Sequence, residues 1–382
     1  MTATHPAFET SPLQRQVWAR APRGAVVTEA VVRGCSDPER VLDALRLLCG
    51  EHEILRTVVS QGPGGEVVQV VYLADESARG EIAVDYQDVR DAAPEAQAAS
   101  FRATRQALAQ SPAEPGPTLR GVLFHIDEDE LRLMLALPAT CADVPTVHLV
   151  LRGVAEHCGE GYTSSTPLQY ADVAAWQNDG LANAREERPP TQDPAPHPLA
   201  ASGNGQPRWC WTKLPGLDAS AVQAVADREG VSPHLVMLAA YQVVLERRGI
   251  APSAIGYHLD GRDVEGLAES AGRLAHWVSI APASNAEHSF GEVLRSTRSH
   301  VDAHRERPWT DRLIQQEQRA AESYAFATTQ ALWSSGEARV ELVGVHDSSG
   351  GARFTLYVTE AEGTLGALVA YDAAQLGDQD AS

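Results

Sequence analysis

Residues 135–154 read LALPATCADVPTVHLVLRGV. An apolar, strand-like run from Leu133 to Leu137 ends at Pro138, and after a short loop Val144, Val147, Val150, Leu151 and Val154 recur at helical spacing. Strand, loop and helix in that order present side chains for chemistry at the end of a strand. The loop offers little chemistry of its own. Between Pro138 and Asp143 stand only Ala139, Thr140, Cys141 and Ala142.

Outward from this stretch the chain keeps an α+β texture. VVTEAVVRG (26–34) reads as a strand and DPERVLDALRLLCGEH (37–52) as a helix capped by Asp37. EILRTVVS and EVVQVVYL form a hairpin across QGPGG, and LRGVLFHI (119–126) pairs with LRLMLALP (131–138) across Asp127–Glu130. Polar helix character near 95–110 and a helix over LQYADVAAWQND (168–179) complete the first half. Residues 181–207 are rich in Pro, Ala and polar residues and read as a linker or bridging segment. SPHLVMLAAYQVVLERRG (232–249) then reads as a helix with Ser232 as cap and Pro233 at its first position. Strands resume at SAIGYHL, LAHWVSIAP, ESYAFATTQALW, ARVELVGV and RFTLYVTE. The expected organisation is a lobe over 1–180 carrying the loop 138–144, the linker 181–207, and a second lobe over 208–382.

The 382 residues suffice for two domains with separate cores. The net charge of −20 argues against nucleic acid as a partner, because phosphate binding needs basic stripes. Five scattered cysteines without a CxxC pair argue against a zinc site or a disulfide framework, and favour reduced thiols in a cytoplasmic protein. No apolar run approaches the roughly 18 residues of a membrane span, and MTATHPAFET lacks the pattern of a signal peptide. Neither a metal site nor a nucleotide-binding glycine run is visible, so no intrinsic cofactor is expected.

Five stretches fall in one order and spacing. SPLQRQVW (11–18) resembles the Ser-x-x-Gln-x-x-x-Trp opening of condensation domains from nonribosomal peptide synthetases. HEILRT (52–57), LQYADVAAWQ (168–177), IGYHLDGRD (255–263) and RLAHWVSIAP (273–282) are similar to further motifs of that family. The resemblance implies two chloramphenicol-acetyltransferase-like lobes in a V. It places an active-site tunnel between them, entered by the phosphopantetheine arms of peptidyl or acyl carrier proteins. Family domains also continue beyond the stretch matching VAYDAAQLG, where DQDAS follows here.

The opening loop sits where the family carries His-His-x-x-x-Asp-Gly. Asp143 falls on the aspartate, Pro138 and Ala139 on the two histidines, and Val144 on the glycine. The second histidine does general-base or positioning work in the family, and an alanine cannot move a proton. Heterocyclization domains use Asp-x-x-x-x-Asp-x-x-Ser at this loop. Asp143 and Thr146 fit its second half, while Arg273 and Ala275 stand where a further Asp and Thr are expected.

The candidate catalytic groups are therefore Asp143, His276 and Cys141, with Thr140 beside the thiol. By the resemblance, Asp143 is held by Arg56 and Arg262, a pairing that makes it a poor base. His276 lies on a strand that lines the family's tunnel and could supply the missing imidazole. Cys141 needs a base or cationic neighbour to act as a nucleophile. Trp18, Trp176 and Trp277 read as core anchors, and His52 and His148 as structural or packing residues. Arg15, Arg20 and Arg23 are candidates for a basic carrier-docking patch.

Three functions follow. The first is a catalytically degenerate domain of an antibiotic or other secondary-metabolite assembly line that positions carrier proteins or a tailoring enzyme. The second is a divergent condensing acyltransferase that joins carrier-bound acyl or aminoacyl groups to an amine, thiol or hydroxyl acceptor. The third is a remnant of heterocyclization chemistry.

Overall fold

A computed structural model describes residues 5–72, 82–109, 118–159, 161–164, 166–186, 209–213, 218–283, 287–318, 324–350, 352, 354–362 and 364–372. The first part runs β1 (Ala7–Glu9), α1 (Pro12–Arg20), β2 (Ala25–Arg33), α2 (Pro38–Glu51), β3 (Thr57–Gln61), β4 (Val67–Val71), β5 (Ala83–Asp88), α3 (Pro94–Leu108), β6 (Arg120–His125), β7 (Glu130–Pro138), α4 (Val144–Cys158) and α5 (Tyr170–Glu186). It continues with β8 (Trp209–Lys213), α6 (Ala219–Glu229), α7 (Pro233–Arg247), β9 (Ile255–Leu259), β10 (His276–Ile280), α8 (Phe290–Arg305), α9 (Trp309–Gln318), β11 (Tyr324–Gln330), β12 (Leu332–Ser335), β13 (Ala338–Asp347), β14 (Phe354–Ala361) and β15 (Thr364–Asp372).

These elements form two compact units. The first comprises 1–191 together with two returns from later in the chain, 260–275 and 331–349. Its sheet has the order β12-β13-β2-β7-β6-β5, antiparallel except for the parallel β5–β6 pair. The two central strands are buried on both faces, with α4 packing on β2 and α3 on β2 and β7. That is why β7 reads Leu-Met-Leu-Ala-Leu over 133–137 rather than alternating. Every one of those five side chains is at most 1% exposed.

Midway along β2 the buried Glu29 meets Arg105 of α3 and Arg132 of β7 (3.2 Å). A buried carboxylate without such partners would be costly. Arg132 also lies 4.4 Å over the Phe101 ring. β1, β3 and β4 form a separate three-stranded sheet, whose β3–β4 pair is the hairpin expected across 61–65.

The second unit comprises 192–259, 276–330 and 350–382. Its sheet has the order β10-β9-β11-β14-β15-β8, with β11 parallel to both neighbours. Val236, Leu238, Ile255, Phe326 and Val358 lie in its core.

Three expectations change. The boundaries 1–180 and 208–382 treat each lobe as contiguous, whereas 260–275 and 331–349 pack with the first unit. Composition marks a linker but not an edge strand that a distant segment supplies. The linker itself begins later than 181, because α5 runs to Glu186; 187–207 lie outside the described residues. The run ESYAFATTQALW also splits, its Tyr324–Gln330 part joining one sheet and its Leu332–Trp333 part the other.

Candidate functional site

α4 begins at the loop because Asp143 caps it, accepting from the Thr146 backbone N–H at 2.8 Å, with Pro145 in the first turn. The same carboxylate does much more. Its Oδ1 also accepts from Thr146 Oγ1 (2.6 Å) and Arg262 Nη2 (3.0 Å). Its Oδ2 accepts from Arg262 Nη1 (3.0 Å), Leu274 N (2.9 Å) and Ala275 N (2.7 Å). Each oxygen thus takes three donors, more than the two lone pairs it offers.

Burial disfavours the charge on Asp143, but the Arg262 guanidinium and these donors outweigh it. They hold the carboxyl far below the usual carboxylate range. No acceptor capacity remains for a substrate proton. Asp143 is a structural anion that ties the start of α4 to the 260–275 return.

Arg262 is equally committed. Nε donates to the Ser270 carbonyl (3.0 Å) and Nη1 to Asp260 (2.9 Å), while Nη2 reaches Thr146 Oγ1 (3.1 Å) and the Gly272 carbonyl (3.2 Å). Arg56 does not share this work. Its Nε donates to the Tyr72 carbonyl and its Nη1 to the carbonyls of Cys49 and Gly50, which draws it to the C-terminal end of α2 rather than to Asp143. The expected Arg56–Asp143 pair is replaced by a single bidentate arginine.

Beside this network lies a second ion pair. Arg273 Nη1 donates to Asp347 Oδ2 at 2.6 Å and to the Ala142 carbonyl at 3.3 Å, and Nη2 bonds Ser349 Oγ. Asp347 also accepts from Ser349 N (2.9 Å) and Oγ (2.6 Å). The carboxyl is lowered: burial opposes the charge, and Arg273 and Ser349 prevail. Nothing in the sequence singled out Asp347, because the 331–349 return that delivers it cannot be read from local pattern.

The loop side chains are inert. Ala139 is fully buried, and its N–H donates to the Gly24 carbonyl at 2.8 Å. The Pro138 carbonyl accepts from Cys141 N (2.8 Å) and Ala142 N (3.0 Å), which folds the loop back on itself. Cys141 is fully buried, its thiol pushed up to about 12 by burial, and Sγ donates to the Thr57 carbonyl at 3.2 Å. A thiol so placed is not a thiolate at neutral pH, which removes it as a nucleophile. Thr140, 5% exposed, sits 3.7 Å from that sulfur.

The division of the chain falls between Ala275 and His276. His276 opens β10 of the second unit, opposite Leu259, and is buried. Its neighbour Trp277 is buried too, edge-on to His258. Trp176 is 39% exposed and is not the core anchor expected, since α5 turns that face outward; Trp18 is half-buried. His52 caps the end of α2 and His148 lies 5.4 Å from the Trp333 ring, both packing roles. Arg15 of the suggested basic patch turns onto the Thr10 carbonyl and Asn178.

The motif spacing has a structural cause. Ser11 and Gln14 form a capping box at α1, a pattern legible as Ser-x-x-Gln. Ser11 Oγ also meets Tyr170 Oη at 2.8 Å, and Tyr170 donates to the Arg273 carbonyl at 2.6 Å. Residues 11, 170 and 273 are thus joined by hydrogen bonds, and Leu274, the residue after Arg273, meets Asp143 through its backbone N–H.

A model of the condensation domain matches residues 22–191. Over 287 residues the chain is 30% identical to phosphinothricin tripeptide synthetase PhsC of Streptomyces viridochromogenes, covering 69% of this chain and 26% of that protein. It is 27% identical over 307 residues to a linear gramicidin synthase of Brevibacillus parabrevis, covering 74% and 4%. The first condensation domain of the CDA synthetase superposes with a TM-score of 0.77 at 17% identity, covering 98% of this chain and 92% of that one. These matches support the chain as a member of the condensation-domain family. Its mixed helix-and-sheet architecture is the condensation-domain fold. It spans about a quarter or less of either synthetase's length.

Proposed function

We propose that this condensation domain of nonribosomal peptide synthesis has lost base-dependent acyl transfer and positions carrier proteins or a tailoring enzyme within an assembly line. The observation that carries the reading is the loop. Where the family places a base there is the buried methyl of Ala139, and the carboxylate four residues on is saturated by donors. General acid–base chemistry needs a group that can hold and release a proton near neutrality, and neither residue does. The substrates would arrive on phosphopantetheine arms of carrier proteins.

The test is a titration of phosphopantetheine-loaded donor and acceptor carrier proteins, encoded beside this chain, into the purified protein. Saturable binding of either carrier supports a positioning role. Absence of binding to both, and to the tailoring enzymes of the same cluster, overturns it.

The intact scaffold of Asp143, Thr146 and Arg262 supports a second reading, a divergent condensing acyltransferase. Alignment of two thioesters supplies rate through effective molarity without a base, and His276 would be the imidazole available. Under that reading His276→Ala lowers transfer. The heterocyclization reading is weakened by Arg273, whose commitment to Asp347 fills the position where that chemistry places a carboxylate.

A further inference from the structure

Two cysteines outside the site face each other. Cys35 lies between β2 and α2, and Cys158 is the last residue of α4; each is buried, and their sulfurs are 2.8 Å apart. A disulfide bond is about 2.05 Å long, so the pair closes with less than an ångström of sulfur movement. Arg40 of α2 donates to the His157 carbonyl at 3.3 Å, which ties the same two elements together.

The surroundings give the pair a consequence. Cys35 follows Gly34 and Cys158 precedes Gly159, and both glycines press on the turn between β12 and β13. A Cβ on Gly34 would lie 2.1 Å from the Glu337 carbonyl oxygen, and one on Gly159 would lie 2.0 Å from that of Ser335. The hairpin whose outgoing strand brings Asp347 to Arg273 is therefore seated on the residues that flank the two sulfurs.

We propose that Cys35 and Cys158 are an oxidisable dithiol whose disulfide locks the seat of the β12–β13 hairpin. Cys35, as thiolate, attacks one sulfur of a small-molecule disulfide and releases one thiol. Cys158 then gives its proton to solvent, attacks Cys35 Sγ and expels the second thiol. Two protein thiols are oxidised and one external disulfide is reduced to two thiols. Cys35 leads because its hydrogen bond with Cys158 lowers its thiol against the pull of burial, with Arg40 adding to the effect. Cys49 and Cys141, both pushed up to about 12 by burial, stay out of the exchange.

The experiment equilibrates the full chain in glutathione buffers of rising oxidised fraction, quenches with acid, alkylates under denaturing conditions and maps the peptides. The expected product is a cross-linked pair of peptides holding Cys35 and Cys158, at the loss of two hydrogens. The bond spans 123 residues, so the oxidised chain should melt about 5–15 °C higher than the reduced one. Backbone amides of 336–342 should exchange more slowly, and Cys35→Ser should abolish both effects. If that variant fails to fold, the oxidised and reduced forms of the unaltered chain still decide. Full alkylation of both thiols after oxidation, glutathione adducts alone, or links to other cysteines overturn the pairing. A Cys35–Cys158 bond that leaves exchange in 336–342 unchanged overturns the locked seat.

Discussion

Asp143 is where the chemistry of this loop is decided. Both it and its partner Arg262 are buried, so removing one charge strands the other; Asp143→Asn should destabilise the protein by about 3–5 kcal/mol. Calorimetry checks this. The same carboxyl links stability to pH. Its folded pKa is depressed, so the unfolded chain binds the proton more readily, and stability rises with pH between the two values. The contribution is complete above the unfolded carboxylate range near 4 and is lost as pH falls through the folded value. Acid-unfolding curves should accordingly be shallower for Asp143→Asn than for the unaltered chain. Ala139→His tests the position of the missing base directly. Because Ala139 is fully buried, an imidazole there overpacks the loop and should cost about 1–3 kcal/mol without creating acyl transfer. Transfer gained by that variant would contradict a loop built only for structure. The loop, Asp143 and Arg262 were legible because they sit in contiguous motifs. The partner of Arg273 was not, since Asp347 arrives from 74 residues away and carries no pattern of its own.

Among the elements, α1 and α5 show how the motifs work. Ser11 is at once the cap of α1 and a partner of Tyr170, which holds the backbone at Arg273. Ser11→Ala removes both contacts and should lower stability by about 1–2 kcal/mol, and Tyr170→Phe by a similar amount; denaturant titrations of the two single variants and the double variant measure the coupling. A double-variant loss below the sum of the singles is expected, because each removes the shared hydrogen bond. Caps, helix spans and the β3–β4 and β6–β7 hairpins could be read locally, since each depends on neighbours in sequence. Arg56 illustrates the limit. A motif says that an arginine is used, while the carbonyls within its reach, here at Cys49 and Gly50, decide where it points.

Across the whole molecule, two lobes were legible from the texture of each half and the polar stretch between them. The returns 260–275 and 331–349 were not. Periodicity reports whether a strand is buried, and it is silent about which sheet edge receives it, so ARVELVGV reads as a strand without declaring that it pairs with β2. Those returns build the first unit's site, supplying Arg262, Arg273 and Asp347 to a loop that lacks a base. The most direct test of a positioning role is intact-protein mass spectrometry of donor and acceptor carriers, both loaded, mixed with the purified protein and followed in time. A positioning role predicts that the acyl group leaves the donor no faster than in a protein-free control, with carrier loading verified and the complex present in the same mixture. Transfer to the acceptor above that control would contradict it and make the protein a condensing enzyme that works without the loop histidine.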